Sequence, residues 1–468
     1  PTTHVGVAAK AIERKAKRQG RGPNLDRLRL FEEQRQVSAE RVLRRPEIIL
    51  DIVSREKSVF DERDVAKVLH RYVDDPAAFG VLLARILQSP DAVRLEREGI
   101  DFASGARTPA RYTTRELIRI ESEMARRAIG LAGADTFGVR DQIRNAVLDR
   151  HAMLSAEQRS AIEHVTAPGR AAAVVGRAGA GKTTMMRAAR EVWEAAGYRV
   201  VGGTLAGKAA EGLEKEAGIA SRTLASWELA WGKGRLILDN RTVFVLDEAG
   251  MVASRQMAAF VEAVSRAGAK LILVGDAEQL QPIEAGAAFR ALVERIGYAE
   301  LETIYRQNTQ WMRDASLDLA RGRVGKALAA YRHHGHVMGS ELKAQAVSAL
   351  IGDWSRDYDP AKSTLILAHL RRDVRALNDL ARDRLVSRGL VGAGHAFRTE
   401  DGERRFAAGD QIVFLRNEGS LGVKNGMIGR VVEAAAGRFT AEVGDGSHRR
   451  PVEVDQRFYR NVDHGYAT

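Results

Sequence analysis

The sequence predicts an α/β fold: parallel sheets covered by helices on both faces, a helical domain ahead of them, and a small β-barrel-like insertion near the end. Three textures carry this reading. Residues 25–150 are charged and helical in period, and "PEIILDIVSREKSVFDERDVAKVLHRYV" places apolar residues three and four apart. From Leu154 onward short β-rich runs alternate with helical segments: "AAAVV", "YRVVG", "TVFVL" and "KLILVG". That is the rhythm of a parallel sheet buried on both faces. Between about 396 and 455 the text changes to short strands and turns, in "DQIVFLRN", "NGMIGRVVEAA" and "RFTAEVGDG".

In chain order, residues 1–24 are set off by the Gly and Pro punctuation of "RQGRGPN", a linker. A helical accessory domain follows over 25–150, and no phosphate loop, metal cluster or catalytic pair is legible in it. A first nucleotide-binding lobe is expected over 151–305 and the start of a second over 306–395, where "STLILAHL" reads as a strand leading into the helix of "RRDVRALNDLARDRL". The insertion occupies 396–455, and 456–468 returns to the second lobe.

Composition narrows the function. The 468 residues contain no cysteine, which excludes disulfides, thiolate zinc sites and a cysteine nucleophile. No apolar run is long enough to cross a bilayer and the start does not resemble a signal peptide, so the expectation is a cytoplasmic protein without membrane insertion. The formal charge of +12 favours a polyanionic partner, nucleic acid before membrane, against the alternative of a merely soluble basic protein. Part of the excess lies at Lys10, Arg14, Lys15, Lys17, Arg18 and Arg21, a run more typical of a solvated face than of a dedicated contact.

The chemistry is concentrated in three motifs. "GRAGAGKT", Gly176 to Thr183, fits G-x-x-x-x-G-K-[ST] and stands between a buried-looking strand and a helix. Its glycines let backbone N–H groups close on phosphate oxygens. The expected nucleotide contacts are Gly176, Gly179, Ala180, Gly181, Lys182, Thr183 and Thr184. Lys182 supplies a point charge and the Thr183 hydroxyl a ligand for Mg²⁺. In "TVFVLDEAG", Asp247 and Glu248 follow a strand at the edge where α/β sheets bind ligands. Asp247 can hold Mg²⁺ through water, and Glu248 can orient and deprotonate an attacking water. In "LILVGDAEQLQPIEAG" the next strand delivers Gly275, Asp276 and Gln279 to the same edge, with the Gln279 amide placed to sense the γ-phosphate. The motif set leads to the expectation of a P-loop NTPase taking ATP and Mg²⁺, on sheets that resemble the RecA-like fold.

In this order the three motifs resemble superfamily 1 DNA helicases of the RecD-like branch. "LSAEQRSAI" resembles the adenine-reading segment, with Gln158 in that role, although Ser155 and Gln158 also spell a capping box. "GGTLAGKAA" resembles a segment meeting single-stranded DNA, which implies contacts from Thr204 and Lys208. "TIYRQN" resembles the motif whose arginine, here Arg306, reaches the γ-phosphate, against the alternative of a surface arginine. More narrowly, the chain resembles the TraA family of Ti-type conjugative transfer relaxases. "THVGVAAKAIERK" is similar to the end of that family's relaxase domain. "SREKSVFDERDVAKVLHRYVDD" and "ILQSPDAVRLEREGIDFASGARTPARYTTREL" are similar to its middle, and "DEAGMVASRQM" to its Walker B strand.

The resemblance implies that "HGYAT" runs on into T-I-H-K-S-Q-G and a second arginine motif, and that a nicking tyrosine and histidine cluster lie upstream. The chain is therefore expected to be part of a longer protein. The implied function is ATP-dependent movement on single-stranded DNA during plasmid transfer, together with other conjugation proteins. Two alternatives stay open: a RecD-like repair helicase, and a nucleotide- and DNA-binding module without turnover. "HHGH" (His333, His334, His336) invites a metal, but adjacent histidines diverge and no ligand-spaced partner is near. Trp227, Trp231, Trp311 and Tyr305 invite base stacking, while tryptophans within helices are more often core.

Overall fold

The structure, a computed structural model, describes residues 39–100, 105–276, 286–360, 362, 364–444 and 449–468. The basic run between Lys10 and Arg21 and the expected phosphate sensor Gln279 lie outside the described residues. The chain forms two compact units, the first reaching Arg313 and taking in Ala320–Gly322, the second made of Asp314–Leu319 and Arg323–Thr468.

The first unit is built on a six-stranded sheet, numbered here β1 (Ala171–Gly176), β2 (Arg199–Thr204), β3 (Ala220–Thr223), β4 (Thr242–Leu246), β5 (Lys270–Gly275) and β6 (Ala299–Leu301). Their order is β6-β1-β5-β4-β2-β3 and every pairing is parallel. The apolar runs read from sequence are why: β4 and β5 are buried along their whole length, as strands covered on both faces must be. On one face the helices Asp141–Leu148, Ala156–Thr166, Lys182–Ala195 and Gly207–Ala217 pack around the fully buried Trp193. On the other, Arg115–Ala132, Leu224–Gly232, Ser254–Ala267 and Ala288–Ile296 pack around Phe244 and Phe260.

Ahead of the sheet, helices Ile48–Glu56, Glu62–Leu69 and Pro76–Gln88 enclose their own core of Ile49, Phe60, Val65, Leu69 and Ile86. Local chemistry starts two of them. Asp61 closes a capping box with Asp64, and Asp75 caps the N–H of Ala78 ahead of Pro76. The all-helical expectation here needs one addition: Ala92–Glu96 pairs antiparallel with Arg111–Thr114, and Gly99–Ile100 with Arg107–Thr108. Those runs are too short for periodicity to reveal. A Phe60–Tyr112 backbone bridge ties the longer hairpin to the helices.

Lys270 opens β5 with 0% exposure, and its Nζ donates to the Ala167 carbonyl at 2.8 Å. Burial pushes its pKa down from 10.5 to about 7. Between those values the unfolded chain binds the proton that the folded chain has shed, so stability climbs with pH across the window. The cost of the buried charge is greatest below the folded pKa. Lys270→Met is therefore expected to raise the unfolding free energy by ~1–3 kcal/mol at neutral pH. Urea unfolding near pH 7 and near pH 9.5 checks this: the advantage must shrink at the higher pH, and one that grew would refute the account.

In the second unit, helices Val324–His333, Lys343–Asp357 and Arg371–Ser387 are followed by an antiparallel five-stranded sheet and a hairpin, His395–Thr399 with Gly402–Phe406. The five strands lie in the order Arg450–Asp455, Arg438–Val443, Ile428–Ala435, Gln411–Phe414, Val462–His464, so the sheet runs past the expected insertion to His464. Its core is aromatic, with Phe397, Phe406, Phe414 and Phe439 all buried. The strand expected at "STLILAHL" is shorter than its sequence promises: among its described residues Ile366 bridges Ala467 in parallel, and the N–H groups of Ile366 and Ala368 donate to Tyr466 O and Thr468 O. Leu365, Leu367 and Leu370 stay exposed, so burial does not hold the rest of that run in a ladder. The pairing segment is itself fixed from beneath. Asn378 Oδ1 accepts the N–H groups of Tyr466 and Ala467, each at 2.8 Å, and the Tyr466 hydroxyl donates to Asp410 at 2.7 Å. Asp410 in turn faces the buried Arg382 at 3.1 Å.

Candidate nucleotide site

Strands β1, β5 and β4 are neighbours in the sheet, so their C-terminal ends bring three sequence motifs together. Beyond β1, Gly179 and Gly181 take φ values of +83° and +77°, left-handed backbone that glycine adopts without penalty. The helix Lys182–Ala195 begins directly after them, its first N–H groups turned toward the loop. The Lys182 Nζ donates to the carbonyls of Gly176 at 2.5 Å and Arg177 at 3.2 Å, which places the ammonium inside the loop. Asp276, at the end of β5, accepts the Ala178 N–H at 3.1 Å and so ties the third motif to the first.

At the end of β4 the Asp247 N–H donates to Gly203 O at 3.0 Å, and the Glu248 N–H donates to Asp247 Oδ1 at 2.9 Å. Burial pushes the Asp247 carboxyl up to about 6. Glu248 adds to the rise, and the Glu248 N–H and Lys182 oppose it. Glu248 itself has φ +54°, a left-handed conformation that costs a non-glycine residue on the order of 1 kcal/mol and is found where function holds it. It leads into a single 3₁₀ turn, Ala249–Met251. Gly250 then meets β5 backbone to backbone: a Cβ there would lie 2.5 Å from Asp276 O, and a Cβ on Gly275 would lie 2.9 Å from Gly250 N. Thr183 stands in the first turn of the phosphate-loop helix, half-buried, and Thr184 is exposed. Thr183 and Asp247 each carry hard oxygens of the kind that Mg²⁺ takes.

Beside the loop the capping box open in the sequence is realised. Ser155 Oγ accepts Gln158 N–H, Gln158 Oε1 accepts Ser155 N–H, and Gln158 Nε2 donates to Gly181 O at 3.2 Å. Gln158 thus closes the helix cap with one end of its amide and braces the phosphate loop with the other. The neighbouring Glu157 was not singled out in the sequence. Its carboxylate accepts the N–H groups of Glu302 and Thr303 at 3.1 and 3.2 Å and the Thr303 hydroxyl at 2.8 Å. The acid beside the glutamine in "LSAEQ" was the available signal. This grip, with Tyr305 N–H donating to Gly179 O at 2.8 Å, lays "TIYRQN" along the loop. A Cβ on Gly179 would stand 2.5 Å from that of Arg306, whose side chain is exposed.

Of the residues expected to touch DNA, Lys208 is exposed. Thr204 has 0% exposure and its hydroxyl donates to Ala206 O at 2.9 Å, so it shapes the loop at Leu205 and Ala206 and does not present its hydroxyl. Trp227 is core: its indole N–H donates to Gly202 O at 2.9 Å and its ring packs on Phe244. Trp231 packs on Phe260. Among the described residues no group of three His, Asp or Glu is arranged to hold a metal, and the rings of His333 and His334 stand 84° apart.

This fold and site define a P-loop NTPase of the helicase superfamily, and a family model described as an AAA domain matches residues 153–341. The probable conjugal transfer protein TraA of Sinorhizobium fredii is 69% identical over 468 residues, covering all of this chain and 42% of that protein. The chain belongs to the TraA family of conjugal transfer proteins, and spans less than half the length of that relative. Its helicase region is RecD-like: the ATP-dependent RecD2 DNA helicase of Deinococcus radiodurans is 26% identical over 322 residues, 67% of this chain and 42% of that protein. A crystal structure of Bacteroides Pif1 bound to ssDNA aligns with a TM-score of 0.40 at 16% identity, covering 67% of this chain and 82% of that one.

Proposed function

We propose that this chain is the motor region of a conjugative transfer relaxase, an ATPase that moves single-stranded DNA during plasmid transfer. The observation that carries the proposal is the convergence of the phosphate loop, the Asp247–Glu248 turn and Asp276 on adjacent strand ends. ATP binds with its phosphates in the loop from Gly176 to Thr184, and Mg²⁺ is held by Thr183 and Asp247. Glu248 takes the proton of the attacking water. Lys182, Gln279 and Arg306 stabilise the transferring charge, which is mainly electrostatic preorganisation. The formal charge of +12 and the exposed Lys208 suit a polyanionic strand. Among the described residues no helix is long and apolar enough to cross a membrane, and the protein is proposed to act in the cytoplasm with other conjugation proteins.

Steady-state ATP hydrolysis with and without single-stranded DNA tests this reading. Stimulation by DNA supports a translocase. Nucleotide and DNA binding without turnover would leave a binding module. DNA affinity should fall with salt, log K against log[salt] having a slope of about −0.7 per phosphate contacted. A flat response removes DNA as the partner.

A further inference from the structure

We propose that the accessory helices position the acidic turn, through a polar clamp on the first two residues of the helix Ser254–Ala267. The inference rests on the reading of Glu248 as the hydrolytic base.

The connection from that base to the clamp is short and stiff. Only residues 249–253 separate Glu248 from Ser254, and Ala249, Val252 and Ala253 are all buried. The Met251 and Val252 N–H groups donate back to Glu248 O and Ala249 O at 3.0 and 3.2 Å. A displacement of Ser254 is therefore passed to Glu248, already held in a left-handed conformation.

The clamp comes from far away in sequence. Ser254 Oγ donates to Glu121 Oε1 at 2.7 Å. Arg255 donates to both oxygens of Glu116, at 2.7 and 2.9 Å, a bidentate pair of fixed geometry. The same guanidinium reaches Ser54 Oγ at 3.1 Å, on the helix Ile48–Glu56. Three helices thus meet at the two residues that begin the helix behind the catalytic turn. The Arg255 guanidinium beside Glu116 holds that carboxyl below its usual value.

Stability alone does not require this arrangement. Met124, Ala128 and Leu131 of the accessory helix already pack in one core with Met257, Val261 and Val264. Partly exposed ion pairs add little to such a seam. A bidentate pair and a short hydrogen bond at one end of a packed helix fix its rotation and register there. That end is the one nearest Glu248.

The test uses the full chain. Hydrogen exchange is followed by mass spectrometry without nucleotide, and ATP hydrolysis is measured separately. In the double variant Glu116→Gln with Glu121→Gln, exchange of the 249–252 amides is expected to quicken ~10-fold, with the rest of the first unit and Tm nearly unchanged. The kcat should fall ~10-fold with KM for ATP within about 2-fold, the signature of a displaced base and not of lost binding. Exchanging the charges, Glu116→Arg with Arg255→Glu, should restore both readouts relative to either single change. Unchanged exchange at 249–252 overturns the proposal. So does acceleration spread over the whole unit with a lowered Tm. If the wild-type chain hydrolyses no ATP, the reading of Glu248 fails while the exchange result still decides the clamp.

Discussion

Glu248→Gln is expected to leave ATP binding intact and to lower turnover by ~10²–10⁴-fold, the usual worth of a positioned general base. Glutamine keeps the size and the left-handed backbone but cannot accept the proton of water. The contrast is Lys182→Ala, which removes the ammonium that lies against Gly176 O and Arg177 O and should abolish hydrolysis together with much of the binding. Binding measured with a fluorescent nucleotide, beside steady-state turnover, separates the two. Normal turnover by Glu248→Gln would remove Glu248 as the base and return attention to Asp247, whose carboxyl burial pushes up to about 6.

The second large effect is steric. Gly250→Ala would put a methyl group 2.5 Å from the Asp276 carbonyl, against backbone that cannot rotate away. Separating the two strand ends should cost ~1–3 kcal/mol of stability. It should also cost turnover out of proportion, because Glu248 and Asp276 move apart while each keeps its own side chain. Urea unfolding and ATP hydrolysis on the same preparation check this. A variant with wild-type stability and turnover would mean the contact is looser than the structure has it. Gly212→Ala, where a Cβ meets nothing within 4 Å, is the matched control.

Much of this was legible in the sequence because it is local. Four strands of the central sheet, β1, β2, β4 and β5, announce themselves as apolar runs, and the phosphate loop as a fixed spacing between strand and helix; the edge strands β3 and β6, short and partly exposed, do not. The Asp247–Glu248 pair was placed at the right sheet edge on the same grounds. What stayed hidden depends on partners distant in the chain. Gln158 could be read as an adenine contact or as half of a capping box; the box forms, and the further hold on a loop 23 residues away has no local mark. Thr204 was expected to contact single-stranded DNA, and the packing around β2 buries it. The short hairpins after the Pro76–Gln88 helix have too few residues to show a period. The grip of Arg255 on Glu116 spans 139 residues and leaves no mark in either local pattern.

Glu157 and Gln158 are consecutive residues on one helical turn, yet they hold two different segments of the candidate nucleotide cradle: the backbone at Glu302 and Thr303, and the carbonyl of Gly181. The cradle is therefore not a portable eight-residue cassette. A chimera that imports a foreign phosphate loop into this scaffold, or grafts this loop elsewhere, must carry the turn Ser155–Gln158 and the Thr303–Arg306 segment as one transplant. Exchanged singly, each piece would arrive without its staple.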